Sequence, residues 1–260
     1  MTILDKIIAD KRKEVELRKA LTSLEDLHKQ SLFGRPTLSL KNALQTSPSG
    51  IIAEFKRKSP SKGWIYEGAA VAEITKGYAD AGASGISVLT DTNYFGGTSH
   101  DLIQVREQVN VPLLRKDFVI DDYQLYEAKA MGADVVLLIA AALSLDQTLS
   151  LAQTARSLSL EVLLEIHHVD ELLHINKYVD MVGVNNRNLK TFEVDIQSSV
   201  DLVEAIPSSF VKVSESGLKS PETVKMLRQL GYQGFLMGEN FMKEPQPALA
   251  LHHFIRDLTV

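Results

Sequence analysis

Short apolar runs rich in Val, Ile and Leu recur along the chain at residues 51–56, 85–90, 111–116, 134–140, 160–166, 181–185, 210–214 and 234–237. Their starts lie roughly 21 to 34 residues apart, a spacing that accommodates a strand, a helix and two loops. The runs are almost continuously apolar, as parallel strands covered by helices are. The segments between them carry a helical period. Residues 121–131 put Leu125, Ala128 and Met131 on one side, and residues 220–230 do the same with Val224, Leu227 and Leu230. Ala81-Gly82, Met131-Gly132 and Leu230-Gly231 read as helix ends closed by glycine. Asp121 and Ser220 read as N-caps, and Pro221 then falls at the first helical position.

Eight consecutive βα units predict an α/β fold, a single closed (β/α)8 TIM barrel. An open doubly wound sheet is the competing arrangement. Residues 1–50 precede the first strand and contain a strongly charged amphipathic helix over about residues 3 to 21, suited to capping or flanking a barrel or to serving a partner. The expected organisation is one domain over 1–260, with 1–50 a helical extension and 51–260 the barrel.

Composition narrows the function. The chain has 260 residues, a length that an α/β barrel takes up as one unit. At 45% hydrophobic and 23% charged it excludes wholesale disorder. A net charge of −5 argues against a nucleic-acid surface, which needs clustered excess Lys and Arg. With no Cys there is no disulfide framework, zinc-thiolate site or Cys nucleophile, which fits a cytoplasmic enzyme. Charges from Asp5 onward do not suit a signal peptide, and the longest apolar stretch, residues 135–143, falls short of the ~20 residues of a membrane span.

The chemistry gathers where strand hydrophobicity breaks. The first run ends in Glu54-Phe55-Lys56, the third in Arg115-Lys116-Asp117, the fifth in Glu165, the sixth in Asn185-Asn186-Arg187 and the seventh in Ser214-Glu215-Ser216-Gly217. In a barrel these ends open onto one face, where catalytic groups sit. Glu54 and Lys56 are two apart and share a side, while Lys116 and Glu165 come from strands that can face each other across the mouth. Confined together, such groups perturb one another's pKa values. Ser216-Gly217 after the seventh run and Gly238-Glu239-Asn240 after the eighth suit a phosphate site, because loops at those positions often bind phosphate in barrels. The long loop 57–66 carries Arg57, Lys58, Ser59, Ser61, Lys62 and the single Trp64, and reads as a mobile lid over an anion.

The ordered motifs Ile52-Ala53-Glu54-Phe55-Lys56-Arg57-Lys58-Ser59-Pro60-Ser61-Lys62-Gly63, Ser87-Val88-Leu89-Thr90-Asp91, Tyr94-Phe95-Gly96-Gly97, Leu114-Arg115-Lys116-Asp117-Phe118, Leu164-Glu165-Ile166-His167, Gly183-Val184-Asn185-Asn186-Arg187-Asn188-Leu189 and Ser214-Glu215-Ser216-Gly217 closely resemble the indole-3-glycerol-phosphate synthase family of tryptophan biosynthesis. The resemblance covers essentially the whole chain, the N-terminal helix included, and lacks the fused isomerase half that some relatives carry. It implies a lyase that closes 1-(2-carboxyphenylamino)-1-deoxyribulose 5-phosphate to an indole with loss of carbon dioxide and water. It implies Lys116 as general acid, Glu165 as the acid–base carboxylate, Glu54 and Lys56 as an assisting pair and Asn185 as the substrate-orienting amide. Arg187 and Glu215 then belong to the surrounding polar network, and Ser216 helps to hold the anthranilate end. Phosphate contacts carry over to Ser59, Gly217, Gly238 and Glu239. Position 239 is Ser in some relatives, and a carboxylate there repels phosphate, so the Glu239 side chain is expected to turn away and leave its backbone N–H. The apolar wall for the aryl ring falls to Phe95, Phe118, Leu137, Ile139 and Leu189.

Lys116 donates near neutral pH if desolvation or a neighbouring cation lowers its pKa. No metal is expected at His167-His168, whose side chains diverge on a strand, and no cofactor is implied. The expected ligand is a small phosphorylated molecule, with no nucleic acid or membrane partner and with scope for association with other tryptophan-pathway enzymes. Two rival readings are another phosphate-binding barrel enzyme, such as a sugar-phosphate isomerase, which does not need Lys56 and Lys116 together, and a barrel kept as a non-catalytic partner, which does not need the intact set of charges.

Overall fold

The structure, a computed structural model, describes residues 2–259. Each of the eight apolar runs coincides with a strand, the seventh extending one residue beyond its run: β1 (Ile51–Phe55), β2 (Gly85–Leu89), β3 (Leu113–Lys116), β4 (Val135–Ile139), β5 (Glu161–Ile166), β6 (Met181–Asn185), β7 (Val211–Glu215) and β8 (Gly234–Met237). Every neighbour pair is parallel, and β1 pairs with β8 through Ile51↔Phe235 and Ile52↔Leu236. That pairing closes the barrel and excludes the open sheet.

Strand alternation divides the apolar residues into two clusters. Ile52, Leu114, Val135, Leu137, Leu163, Met181, Val213 and Leu236 fill the interior. Their strand neighbours Ala53, Val88, Val136, Leu138, Leu164, Val182 and Phe235 face the surrounding helices. The helix Pro221–Gln229 starts as read, with Ser220 accepting from the Thr223 N–H and Pro221 at its first position. Val224 and Leu227 are buried, but Leu230, the C-cap just past the helix end, is 40% exposed. Asp121 is not the N-cap of Tyr123–Ala130; that position falls to Asp122, while the Asp121 carboxylate accepts from the Tyr123 N–H at 2.9 Å. Gly132 and Gly231 adopt φ of +83° and +110°, as the glycine stops require. After β5 the chain makes a 3₁₀ segment, Val169–His174, in place of an α-helix.

Three helices precede β1: α1 (Ile3–Leu21), α2 (Leu24–His28) and α3 (Leu40–Thr46). Leu40 and Leu44 of α3 pack into the interior cluster and close the barrel at the N-terminal ends of the strands. There Glu161 accepts from the Ser39 hydroxyl and from the Lys41 N–H. α1 lies at the opposite end. It buries Ile7, Ile8, Val15 and a lysine, Lys11, which is 1% exposed. The Lys11 ammonium stands 2.8 Å from Asp91, 2.9 Å from Asp117 and 2.9 Å from Glu14. Asp117 also pairs with the fully buried Arg115, at 3.1 Å. Among the described residues, no helix is long and apolar enough to cross a membrane.

Candidate active site

The interior parity that carries Ile52, Leu114, Leu163 and Val213 continues toward the C-terminal ends of the strands as Glu54 and Lys56, Lys116, Glu165 and Glu215. Glu54 and Lys56 meet at 2.6 Å. Lys116 Nζ lies 2.9 Å from Glu165 Oε2 and 2.7 Å from Glu215 Oε2, so one ammonium bridges two carboxylates from β5 and β7. Gly183 on β6 makes room for this, since a Cβ there would stand 2.3 Å from Glu215 Oε1.

The electrostatics differ from the sequence expectation at Lys116. Burial pulls its ammonium down, but Glu165, Glu215 and Glu54 outweigh it and hold its pKa above the ordinary lysine value. Its proton is retained by carboxylates, not loosened by a neighbouring cation. The two acids separate. Burial pushes Glu165 up, but Lys116 and His167 outweigh it and bring it down to about 2. Glu215 is driven up to about 7 by burial and by Glu165 and Glu54, against the pull of Lys116. Geometry agrees with this division, because Glu215 Oε1 is buried without a partner and an unpartnered buried oxygen favours the neutral acid.

His167 packs behind Glu165, with Nε2 3.4 Å from Glu165 Oε1 and Nδ1 3.6 Å from Glu171 Oε2. Burial lowers its pKa, but Glu171 and Glu165 outweigh burial and raise it.

Two clefts meet over this row of charges. The inner one is mostly apolar and has a volume of about 150 Å³, the size that holds a benzene ring. Phe95, Phe118, Leu137, Ile139 and Leu189 all line it, with Lys116, Glu165 and Asn185 alongside. Ile3, Leu4 and Ile7 of α1 also form its wall, and sequence reasoning missed them. The outer cleft, about 460 Å³, is lined by Lys56, Lys62, Arg187, Lys219 and Lys243 together with Ser216, Gly217, Gly238 and Glu239. Ser59, expected beside the phosphate, lines only the inner cleft.

The Ser216-Gly217 turn is left-handed at both residues, with φ of +68° and +77°. Asn186, which the sequence places in the polar break after the sixth run without a role, braces it: its amide donates to the Ser216 carbonyl at 3.0 Å and its oxygen accepts from the Ser199 hydroxyl. Asn185 Oδ1 accepts from the Arg187 N–H at 3.0 Å, turning Arg187 over the outer cleft.

Glu239 departs from expectation. Its side chain does not turn away but spans the outer cleft, with Oε1 2.9 Å from Lys62 Nζ and Oε2 3.7 Å from Arg187 Nη2. The expectation counted the repulsion of a phosphate and left out these two cations. Burial pushes the carboxyl up, but Lys62, with Lys56 and Arg187, outweighs it and holds the carboxyl below its ordinary value.

The Indole-3-glycerol phosphate synthase family pattern matches residues 4–254. A protein of that description from Bacteroides thetaiotaomicron is 53% identical over 254 residues, covering 98% of both chains. Another from Acinetobacter baumannii is 41% identical over 248 residues, covering 95% of this chain and 92% of that one. Among solved structures, 3-hexulose-6-phosphate synthase from Salmonella typhimurium superposes with a TM-score of 0.63 over 80% of this chain and 98% of that one; at 13% identity it shares the fold alone.

Proposed function

The chain belongs to the indole-3-glycerol phosphate synthase family, a family of lyases, and we propose how its own side chains carry out that family's reaction. The reaction closes 1-(2-carboxyphenylamino)-1-deoxyribulose 5-phosphate to indole-3-glycerol phosphate, releasing carbon dioxide and water. The aryl ring enters the inner cleft, the phosphate takes the outer one, and the sugar chain between them crosses Glu54, Lys56, Lys116 and Glu165. The ring carbon bearing the carboxylate attacks the ketone carbon. Lys116 delivers a proton to the ketone oxygen as that bond forms, because the oxygen otherwise develops full negative charge. The C–CO₂ bond then breaks and its electron pair restores the aromatic ring. In the last step Glu165 takes a proton from the new five-membered ring, and the hydroxyl leaves as water with a proton supplied through the Glu54–Lys56 pair. Decarboxylation consumes one proton overall, which Lys116 regains from solvent.

Asn185 orients the substrate and Arg187 its hydroxyl and phosphate end, with Gly217 and Gly238 around the phosphate and Ser216, which lines both clefts, toward the anthranilate end. The observation that carries this reading is the Lys116 ammonium held at 2.9 and 2.7 Å between two carboxylates in the apolar cleft, which adjoins the cationic one at Glu54 and Lys56. We place the enzyme in the cytoplasm, with a small phosphorylated substrate and scope to associate with other enzymes of tryptophan synthesis. The test is to mix purified protein with the carboxyphenylamino-deoxyribulose phosphate and follow indole fluorescence. A signal no greater than that of heat-treated protein overturns the assignment.

A further inference from the structure

Two cations from separate parts of the chain converge on one carboxylate in the outer cleft. Lys62 belongs to the loop after β1, within the hairpin formed by Lys58–Ser59 and Gly63–Trp64. Arg187 follows β6. Glu239 follows β8, and its two oxygens divide between them, Oε1 to Lys62 at 2.9 Å and Oε2 to Arg187 at 3.7 Å. Among the described residues the cleft has five cationic side chains and only one other carboxylate on its lining, Glu54, which Lys56 already engages at 2.6 Å. A carboxylate with one oxygen on each of two cations reproduces two of the oxygens a phosphate would present there. Both anions cannot share those cations without like-charge repulsion.

We propose that Glu239 is a built-in stand-in for the substrate phosphate, holding Lys62 and Arg187 in the empty enzyme and displaced when the phosphate enters. The inference rests on reading the outer cleft as the phosphate subsite. Displacing the carboxylate weakens every phosphate-bearing ligand by the same factor. Inorganic phosphate has only its own charge to meet that cost, so it is kept below occupancy. The substrate adds the burial of its aryl ring and still binds. The ion pair also ties the 58–64 hairpin to the short helix Glu239–Met242 after β8, so exchange of the anion releases and recaptures that hairpin. After turnover the returning carboxylate competes with the product phosphate and favours its departure.

The test uses the full-length protein and two variants, Glu239→Gln and Glu239→Ser, with inorganic phosphate as the probe. Calorimetry gives its Kd directly, and the same anion is titrated as a competitive inhibitor of turnover. Two part-exposed ion pairs make the displacement worth about fivefold to tenfold in affinity. Kd for inorganic phosphate and KM for the substrate are both expected to fall by about that factor in Glu239→Gln. An unchanged or weaker phosphate Kd in Glu239→Gln overturns the proposal, and if that variant does not fold, Glu239→Ser decides by the same criterion. No detectable phosphate binding in any of the three proteins overturns it as well. Failure of the functional reading looks different, because wild-type protein would then turn over no substrate, whereas failure of the stand-in role leaves turnover intact and phosphate affinity unmoved.

Discussion

Replacing Lys116 by Met removes the ammonium while keeping an unbranched chain of similar length. It leaves Glu165 and Glu215, whose side chains are 3% and 2% exposed, without the cation they share. Removing one partner from a buried ion pair costs ~3–5 kcal/mol, since the other charge stays desolvated. His167, 3.4 Å from Glu165, offsets part of that, so the lower end is expected. The penalty must depend on pH. In the wild type Glu165 is depressed to about 2, so its stabilising contribution is complete above the ordinary carboxylate range and is lost only as the pH falls toward 2. In the variant that depression is gone, both acids titrate upward, and proton uptake relieves them at low pH. The expected loss is therefore ~3 kcal/mol at pH 8, a fall in Tm of about 6–12 °C for a chain of this size, and less than half of that at pH 5. Turnover should drop by ~10²–10⁴, the usual worth of a positioned acid, with KM changed by less than about threefold. Calorimetric scans at the two pH values and steady-state indole fluorescence measure both effects. Equal losses of Tm at pH 5 and pH 8 would refute the neutralising role. Normal turnover with a raised KM would make Lys116 a clamp for the substrate carboxylate and not a proton donor.

Glu215, raised to about 7, is protonated below that pH and charged above it, where it tightens the hold on the Lys116 proton; kcat/KM should decline through about pH 7, and Glu215→Gln should flatten that limb, so an unchanged profile would count against Glu215 as its source. Gly183→Ala puts a methyl 2.3 Å from Glu215 Oε1, too close for the carboxyl to stay where it is, and should cut kcat/KM by ~10–100-fold with the far-UV circular dichroism retained; near-normal activity would mean that the position of Glu215 is immaterial. Lys11→Met takes from buried Asp91 its cation and leaves Asp117 with Arg115 alone, costing ~3–5 kcal/mol, and loosens the helix whose Ile3, Leu4 and Ile7 wall the inner cleft. KM should then rise more than kcat falls and limited proteolysis should open α1 first; an unchanged KM would refute α1 as part of the binding wall.

The barrel and its charged rim were legible in sequence for one reason. A parallel strand alternates sides with period two, and a closed barrel turns that alternation into convergence on one axis. Once Glu54 and Lys56 share a parity, and Lys116 and Glu165 stand at their strand ends, closure brings them together with no further information. Register across the barrel was not legible, and it decided the protonation states. The placement of Glu215 2.7 Å from Lys116 is set by the Asn185↔Glu215 and Gly183↔Val213 pairings of β6 with β7, and with Glu165 it raises the Lys116 pKa where the sequence reading made donation depend on a lowered one.

Groups outside the periodic frame were harder still. Lys11 sits in Asp10-Lys11-Arg12-Lys13, where each charge reads as part of a solvated helix face, yet it is the one that is buried. Its role follows only from Asp91 and Asp117, which reach it from the segments after β2 and β3. Glu239 failed for a related reason. Repulsion between a carboxylate and a phosphate can be argued from one residue, but the cations that occupy that carboxylate before any phosphate arrives come from the loops after β1 and β6. Sequence periodicity thus identifies the charges that share the axis of the barrel. The partners that set their protonation, and the apolar lid that α1 lays over them, are fixed by long-range contacts that no local pattern encodes.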